Sequence, residues 1–358
     1  MKKFKNKIDF IFESKLYSLK NKKEIFFRLM LNLTKFHFSS CKPYKKILNG
    51  FNFNFKNIKN LNDLPYLPIR LFKDNELKSV KQKYITKVLR SSGTTGSKTS
   101  KIFLDNINSQ HQIKTLNKII KNSLGEERLP MLIIDKKANH KDIKQMSARI
   151  AAINGFSIFG KNHTYLLDES EKIILEEFEN FVKKYSREKF LIFGFTSLIY
   201  EHLIKKIGGN KKKFNLSKGI ILHGGGWKKL EKLKISNKEF KSILFKKFKT
   251  KQIINYYGLV EQTGSIYLEC VDCSRFVTSE FSNILIRDDN LEVCKKNKTG
   301  MIQTMSLLPT SYPGHNILTE DIGEIKGEND CYCGKKGKYF LVHGRIKKAE
   351  VRGCSNVK

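Results

Sequence analysis

Apolar positions in the first sixty residues recur every three to four places. Ile8, Phe12, Leu16 and Leu19 form one group, and Ile25, Phe26, Leu29, Met30 and Leu33 a second. That spacing predicts amphipathic helices over most of this stretch. LPYLPIRLF (64–72) carries two prolines and predicts an extended connection. KYITKVLR then runs strand-like into a loop of hydroxyls and glycines. From about 102 to 265 short apolar runs alternate with helical periodicity. MLIID (131–135), KFLIFGF (189–195), GIILHG (219–224) and QIINYYG (252–258) predict strands. Helices are expected over about 107–122, 141–155, 170–186, 197–206, 227–234 and 237–248. Such alternation predicts a parallel sheet with helices on its faces. After 265 the chain becomes strand-like and turn-rich: SIYLEC, NILIR, LEVC, GMIQTMSLL, GEIKG and KYFLVHGR. The expected organisation is a helical region (1–85), an α/β region (86–265) and a β-rich region (266–358).

Composition narrows the class. The chain has 358 residues with 40% hydrophobic and 29% charged content, as a globular protein does. Its longest apolar run, FLIFGFTSLIY (190–200), is too short to span a bilayer. Asp9 and Glu13 interrupt the apolar part of the basic N-terminus, so a signal peptide is not expected and a cytoplasmic location is. The net charge of +35 raises nucleic acid as a partner. Against that, 59 lysines stand beside only 10 arginines, and they are spread along the whole chain. Arginine is the usual reader of phosphates and base edges, so no nucleic-acid partner is expected. An acidic protein or an anionic substrate stays open. Seven cysteines, six of them after residue 269, read as thiols rather than as a disulfide framework.

Several segments carry candidate chemistry. RSSGTTGSKTSK (90–101) concentrates hydroxyls, glycines and lysines. It lacks the G-x-x-x-x-G-K spacing of a P-loop, so it reads either as a solvated hairpin or as a different phosphate cradle. Gly224, Gly225 and Gly226 follow an apolar strand directly, as a tight turn or as a place where backbone approaches a flat ligand. Tyr256, Tyr257 and Glu261 follow the next strand. A tyrosine there could stack on a base and the carboxylate could hold Mg²⁺; core tyrosines and a surface glutamate are the plain alternative. Glu320 and Asp321 are expected in a polar loop before a strand, as an acidic turn or as acceptors for ribose hydroxyls. CVDC (Cys270, Cys273) and CYC (Cys331, Cys333) offer four thiolates to a tetrahedral structural Zn²⁺ site, or are four reduced cysteines near a turn. Cys354 lies close in sequence to Arg352, Lys347 and Lys348, neighbours that favour thiolate.

The order of these segments resembles a family. SSGTTGSK (91–98) is similar to the signature loop of the adenylate-forming enzymes. YYGLVE (256–261) resembles their Tyr-Gly-x-Thr-Glu motif with Val260 in place of threonine. TED (319–321) resembles their Thr-Gly-Asp motif with Glu320 in place of glycine, and HGR (343–345) their hinge motif. LHGGGWKKLE, SLLPTSYPGHNILTEDIGEI and GRIKKAEVRGCS are similar to the acyl-protein synthetases of the LuxE type, relatives of the phenylacetate–CoA ligases. The resemblance implies the adenylate-forming large-domain fold, with parallel sheet flanked by helices, a helical N-terminal region and a β-rich C-terminal region.

It also implies ATP-dependent activation of a long-chain fatty acid to acyl-AMP, then transfer to a cysteine as a thioester. A partner acyl reductase or acyltransferase would receive the acyl group, in light emission or in lipid or polysaccharide synthesis, and an acyl carrier protein is a further candidate partner. Ser91, Ser92, Gly93, Thr94, Thr95, Gly96 and Lys98 would embrace the phosphates of ATP. Gly224, Gly225, Gly226 and Tyr257 would flank adenine. Glu261 would ligate Mg²⁺, Asp321 would bind ribose, Arg345 would contact the nucleotide, and Cys354 would accept the acyl group. Some relatives among the phenylacetate–CoA ligases bind metal with similar cysteine pairs. Most adenylate-forming enzymes continue into a further domain with a catalytic lysine. Here 13 residues follow Arg345 and Lys347 stands where a hinge acid is usual, so a full-size C-terminal domain is not expected. An acyl-CoA ligase of the same superfamily, or a basic binding protein with a degenerate nucleotide site, are the alternatives.

Overall fold

The computed structural model describes residues 2–18 (with side chains from Ile8), 21–91, 98–138, 147–226 and 235–346. They fall into two units. One takes in the described residues up to 91 together with 98–125 and 258–346; the other takes in the described residues of 126–257. These units are not the three consecutive regions of the linear reading. The N-terminal helices and the β-rich region share one unit, because β1 near residue 67 pairs with a strand beyond residue 315.

The first unit opens with helices Lys2–Glu13, Lys22–Ser40 and Lys42–Gly50. The second buries Phe26, Leu29, Met30 and Leu33 as the spacing predicts, and Thr34 and His37 with them. Pro43 stands in the first turn of the third, where a missing N–H costs nothing. The segment expected to be extended forms β1 (Leu67–Pro68) and then a short helix, Leu71–Asp74, directly after its second proline. Next comes an antiparallel hairpin of β2 (Ile85–Arg90) and β3 (Lys101–Asp105). The Asp105 carboxylate accepts from Asn108 N at 2.8 Å and caps helix Asn106–Leu124, which Gly125 ends at φ +90°.

The second unit is a parallel sheet. Its strands are β4 (Leu129–Lys136), β5 (Gly160–Leu167), β6 (Phe190–Phe195), β7 (Gly219–Gly224) and β8 (Gln252–Tyr257), in the order β8-β7-β6-β4-β5. Every neighbouring pair among them is parallel. Helices Ala148–Ser157, Leu175–Tyr185 and Asn237–Phe248 connect them, with a helical turn Thr196–Leu198 that continues as a π-helix over Ile199–Ile207. Phe178, Phe190, Ile192, Leu203, Leu216, Phe240 and Leu244 form the heart of one apolar core. β5 has no counterpart in the sequence reading. It is the edge strand, and its exposed Lys161, Asn162 and His163 break the apolar run that marks buried strands. The helix expected from 170 starts only at Leu175, because Asp168 and Lys172 close a turn that pairs Ile173 with Leu167. Residues 141–146 and 227–234, where helix was also expected, lie outside the described residues.

The chain returns to the first unit with β9 (Tyr267–Glu269), β10 (Phe276–Val277), β11 (Ser282–Arg287), β12 (Gly300–Ser306), β13 (Asn316–Glu328) and β14 (Lys338–Arg345). They are antiparallel in the order β11-β12-β13-β14-β10-β9, with β1 added parallel to β13. LEVC contributes only a bridge between Val293 and Arg287. β13 begins well before GEIKG. Thr319, Glu320 and Asp321 are therefore strand residues, not members of a polar loop before a strand.

Candidate functional site

Within the first unit, the β2–β3 hairpin holds the two ends of the hydroxyl-rich segment. Arg90 faces Lys101 in register. Beyond them Ser91 N donates to Ser100 O at 3.1 Å, and Ser91 Oγ accepts from Ser100 N at 2.9 Å. Both serines are buried, so the loop springs from a fixed root. Ser92, Gly93, Thr94, Thr95, Gly96 and Ser97 lie outside the described residues. Lys98 is exposed, with its Nζ 3.5 Å from the exposed Asp74 carboxylate, a pair that solvent screens.

Glu261 sits on a 3₁₀ turn, Val260–Gln262, and is only 3% exposed. Its backbone carbonyl accepts from Tyr312 Oη at 2.8 Å. Burial, with Glu261 nearby, pushes the Tyr312 phenol upward, so its hydroxyl stays a donor. Asp321 of β13 faces Arg345 of β14, and Arg345 Nε donates to Asp321 Oδ1 at 3.1 Å. Thr319 Oγ1 accepts from Asp321 N at 3.1 Å and donates to Ile302 O at 2.7 Å. Glu320, pointing to the other face as strand alternation requires, forms an ion pair with Arg70. Thus the two members of the acidic pair do different things: Asp321 meets Arg345, while Glu320 ties β13 to the β1 segment. Arg70 was missed because its partner lies 250 positions away.

The cysteines converge in the same unit. Cys270 and Cys273 lie on the turn between β9 and β10, and Cys331 and Cys333 on the turn between β13 and β14. The sulfurs of Cys270, Cys273 and Cys331 lie within 4.8 Å of one another, as do the ligand atoms of Cys270, Asp272 and Cys333. Cys331 and Cys333 sulfurs are 3.0 Å apart. Burial, then the neighbouring Cys331 and Cys270, pushes the Cys273 thiol up to about 12. Three thiols so close together are a candidate metal cluster, where a bound cation would reverse that push.

In the second unit the predicted adenine residues lie at the carboxyl ends of adjacent parallel strands. Gly224 ends β7 in register with Tyr256 of β8, and a Cβ at Gly224 would come 2.5 Å from the Tyr256 ring. Gly225 turns the chain at φ +76°, which strains any other residue. A Cβ on Gly226 would meet nothing within 4 Å. Tyr257 is half-buried at the end of β8. Tyr256 instead packs inward on Phe156, with ring centroids 4.7 Å apart. Thr196 Oγ1 donates to Gly224 O at 3.1 Å and meets His223 Nδ1 at 2.9 Å. Burial pushes His223 down to about 3, so the ring is neutral, and the spent hydroxyl proton places the His223 proton on Nδ1. Arg149 reaches across the same unit with a fork onto Asp135 at 2.8 and 2.5 Å, and onto Glu171 at 3.0 Å. Thr196, Asp135 and Arg149 lie in no motif, and His223 lies inside LHGGGWKKLE but is not among the expected site residues. Cys354, Lys347, Lys348 and Arg352 lie outside the described residues.

The fold is that of the adenylate-forming ligases. 2-Hydroxyisobutyryl-CoA ligase, crystallised in a postadenylation state, matches 90% of this chain and 68% of its own with a TM-score of 0.70 at 10% identity. Residues 5–358 match the acyl-protein synthetase family, LuxE, and the chain belongs to that family. The long-chain-fatty-acid–luciferin-component ligase of Vibrio harveyi is 22% identical over 349 residues, covering 95% of this chain and 88% of its own. The protein of that name from Aliivibrio fischeri is 24% identical over 354 residues, covering 91% and 87%.

Proposed function

We propose that the protein activates a long-chain fatty acid with ATP and passes the acyl group to its own Cys354 as a thioester. A carboxylate oxygen of the fatty acid attacks the α-phosphorus of ATP. The bond to pyrophosphate breaks, leaving acyl-AMP. The Cys354 thiolate then attacks the acyl carbonyl and AMP departs with the electrons of the broken C–O bond. The observation that supports this reading is that a fixed hairpin root at Ser91, the buried Glu261 and the Asp321–Arg345 pair belong to one unit of a chain whose residues 5–358 match the family.

The loop residues 91–96 and Lys98 grip the phosphates, Gly224–Gly226 and Tyr257 flank adenine, Asp321 holds ribose, and Arg345 orients Asp321 and the nucleotide. Mg²⁺, when bound, neutralises phosphate charge, and a single carboxylate such as Glu261 plus substrate phosphates suits its preference. Cys270, Cys273, Cys331 and Cys333 hold Zn²⁺ in a structural role that pins two turns together. An acyl reductase or acyltransferase receives the acyl group in the cytoplasm, and the positive charge favours an acidic partner such as an acyl carrier protein.

Labelled fatty acid and ATP test the whole reading. Label that stays on the denatured protein and leaves with hydroxylamine is expected. Cys354→Ala should abolish that label yet keep fatty-acid-dependent ATP–pyrophosphate exchange. Thioester persisting in Cys354→Ala would remove Cys354 from the reaction. Label appearing only on added CoA would make the protein an acyl-CoA ligase.

A further inference from the structure

Residues 307–315, which connect β12 to β13, are held on every side by buried polar contacts. Asn108 Oδ1 accepts from Thr310 N at 3.1 Å and Ser311 N at 3.4 Å. Ser311 Oγ donates to Phe103 O of β3 at 2.7 Å, and Ser311 O accepts from Ser79 N at 2.8 Å. From helix Lys22–Ser40, His37 Nε2 donates to Pro309 O at 3.0 Å, and Thr34 Oγ1 meets His315 Nε2 at 3.0 Å. Burial pushes both imidazoles down, so these contacts are made by neutral rings.

The free face of this rigid connector meets the turn that carries Glu261. Tyr312 Oη donates to Glu261 O at 2.8 Å. Gln262 Nε2 donates to Gly314 O at 2.8 Å and to Thr304 O at 3.2 Å. Gly314 lies so close that a Cβ there would stand 2.7 Å from Glu261 O and 2.2 Å from the Tyr312 ring. A turn of three residues has few internal bonds to fix it. Here the connector makes two from outside and β12 a third, and through Phe103 the connector also grips the strand that leaves the hydroxyl-rich loop.

We propose that the connector sets the position of the Glu261 carboxylate for adenylation, with Tyr312, Gly314 and Gln262 as its positioning residues. This rests on the reading of Glu261 as the Mg²⁺ carboxylate. Neither Tyr312 nor Gln262 touches substrate in this account. Each acts by holding the backbone at the Glu261 carbonyl and at the residue that follows it.

Calorimetric titration of ATP, with MgCl₂ and with EDTA, reads the effect apart from turnover. Tyr312→Phe removes one buried hydrogen bond, and is expected to cut the Mg²⁺-linked gain in ATP affinity about fivefold while leaving affinity in EDTA unchanged. Its kcat for ATP–pyrophosphate exchange should fall by a similar factor, with acyl transfer from preformed acyl-AMP unaffected. Gln262→Met, which removes both donated bonds at similar length, should do the same and serves if Tyr312→Phe does not fold. A lowered melting temperature with an unchanged Mg²⁺-linked gain in both variants would overturn the positioning role. Glu261→Gln separates the two readings: it should erase the Mg²⁺-linked gain altogether. If Glu261→Gln keeps that gain, the assignment of Glu261 fails first and the inference falls with it.

Discussion

The two units hold themselves together by different means. In the parallel unit, β4, β6 and β7 are buried almost throughout, and their side chains are nearly all aliphatic or aromatic. In the antiparallel unit, β13 is just as buried over Asn316–Asp321, yet it reads NILTED. Gln303, Asn316, Thr319, Ser311, His315, His37 and Asn108 are all buried there, and each finds a partner. Apolar contact is non-directional, so the parallel unit gains stability without much geometric demand. Hydrogen bonds are directional and costly to leave unmade, so the antiparallel unit gains a unique arrangement at higher risk. The difference matches the parts assigned to them. In the proposed function the parallel unit would supply strand ends and glycines for a flat base, and the antiparallel unit carboxylates that must stand in defined places.

That contrast can be broken experimentally. The largest effect is expected from Phe178→Ala, which empties a fully buried aromatic site in the parallel unit. It should cost about 3–5 kcal/mol in urea denaturation. Phe178→Leu should recover most of the loss, since size matters there more than geometry. In the antiparallel unit, Asn108→Leu keeps the branched shape, adds some bulk and strands the Thr310 and Ser311 donors, and should cost about 2–3 kcal/mol. If leucine is tolerated at 108 as well as at 178, the distinction between the units collapses.

Acid should sharpen the contrast further. Burial pushes His37 and His223 down to about 3, and His315 also lies well below the usual imidazole range. A depressed folded value means that the unfolded chain takes up the proton first. The stability these groups hold is complete above about pH 6.5 and declines as pH falls toward 3, by up to about 2 kcal/mol per imidazole at pH 5. His37 and His315 stack at 4.8 Å in the antiparallel unit, whereas in the other the described imidazoles that burial lowers are His223 and the less deeply buried His202. Amide exchange at pH 5 should therefore open the antiparallel unit first; earlier opening of the parallel unit would contradict this. The smallest effect belongs to Lys98→Ala. The pair with Asp74 is exposed, so the melting temperature should not move measurably. Adenylation should weaken more than acyl transfer from preformed acyl-AMP, and equal losses in both steps would count against a phosphate grip by Lys98.

Legibility in the sequence follows the same division. MLIID, KFLIFGF, GIILHG and QIINYY declared themselves as strands because a buried parallel strand is a continuous apolar run. Edge strand β5 did not, because much of it faces water, and β3, though buried over 102–105, is too short a run to stand out. TED was legible as a motif but misplaced in a loop, since polar residues in a buried strand look like a turn when their partners are unseen. Gly224 and Gly225 stood out in the sequence, but the reason for each is tertiary: the Tyr256 ring in one case, a left-handed turn in the other.

The sequence by itself determined the order of the elements, the parallel core and the family, since these depend on local periodicity and on motifs of a few adjacent residues. Tertiary structure decided what lies beside what. Arg70 meets Glu320 across 250 positions, and Thr34 meets His315 across 281. Two cysteine pairs nearly sixty residues apart converge, and Tyr312 reaches back 51 positions to the turn of Glu261. Directional contacts between remote residues leave no periodic trace along a chain, which is why the support of Glu261 became visible only in the fold.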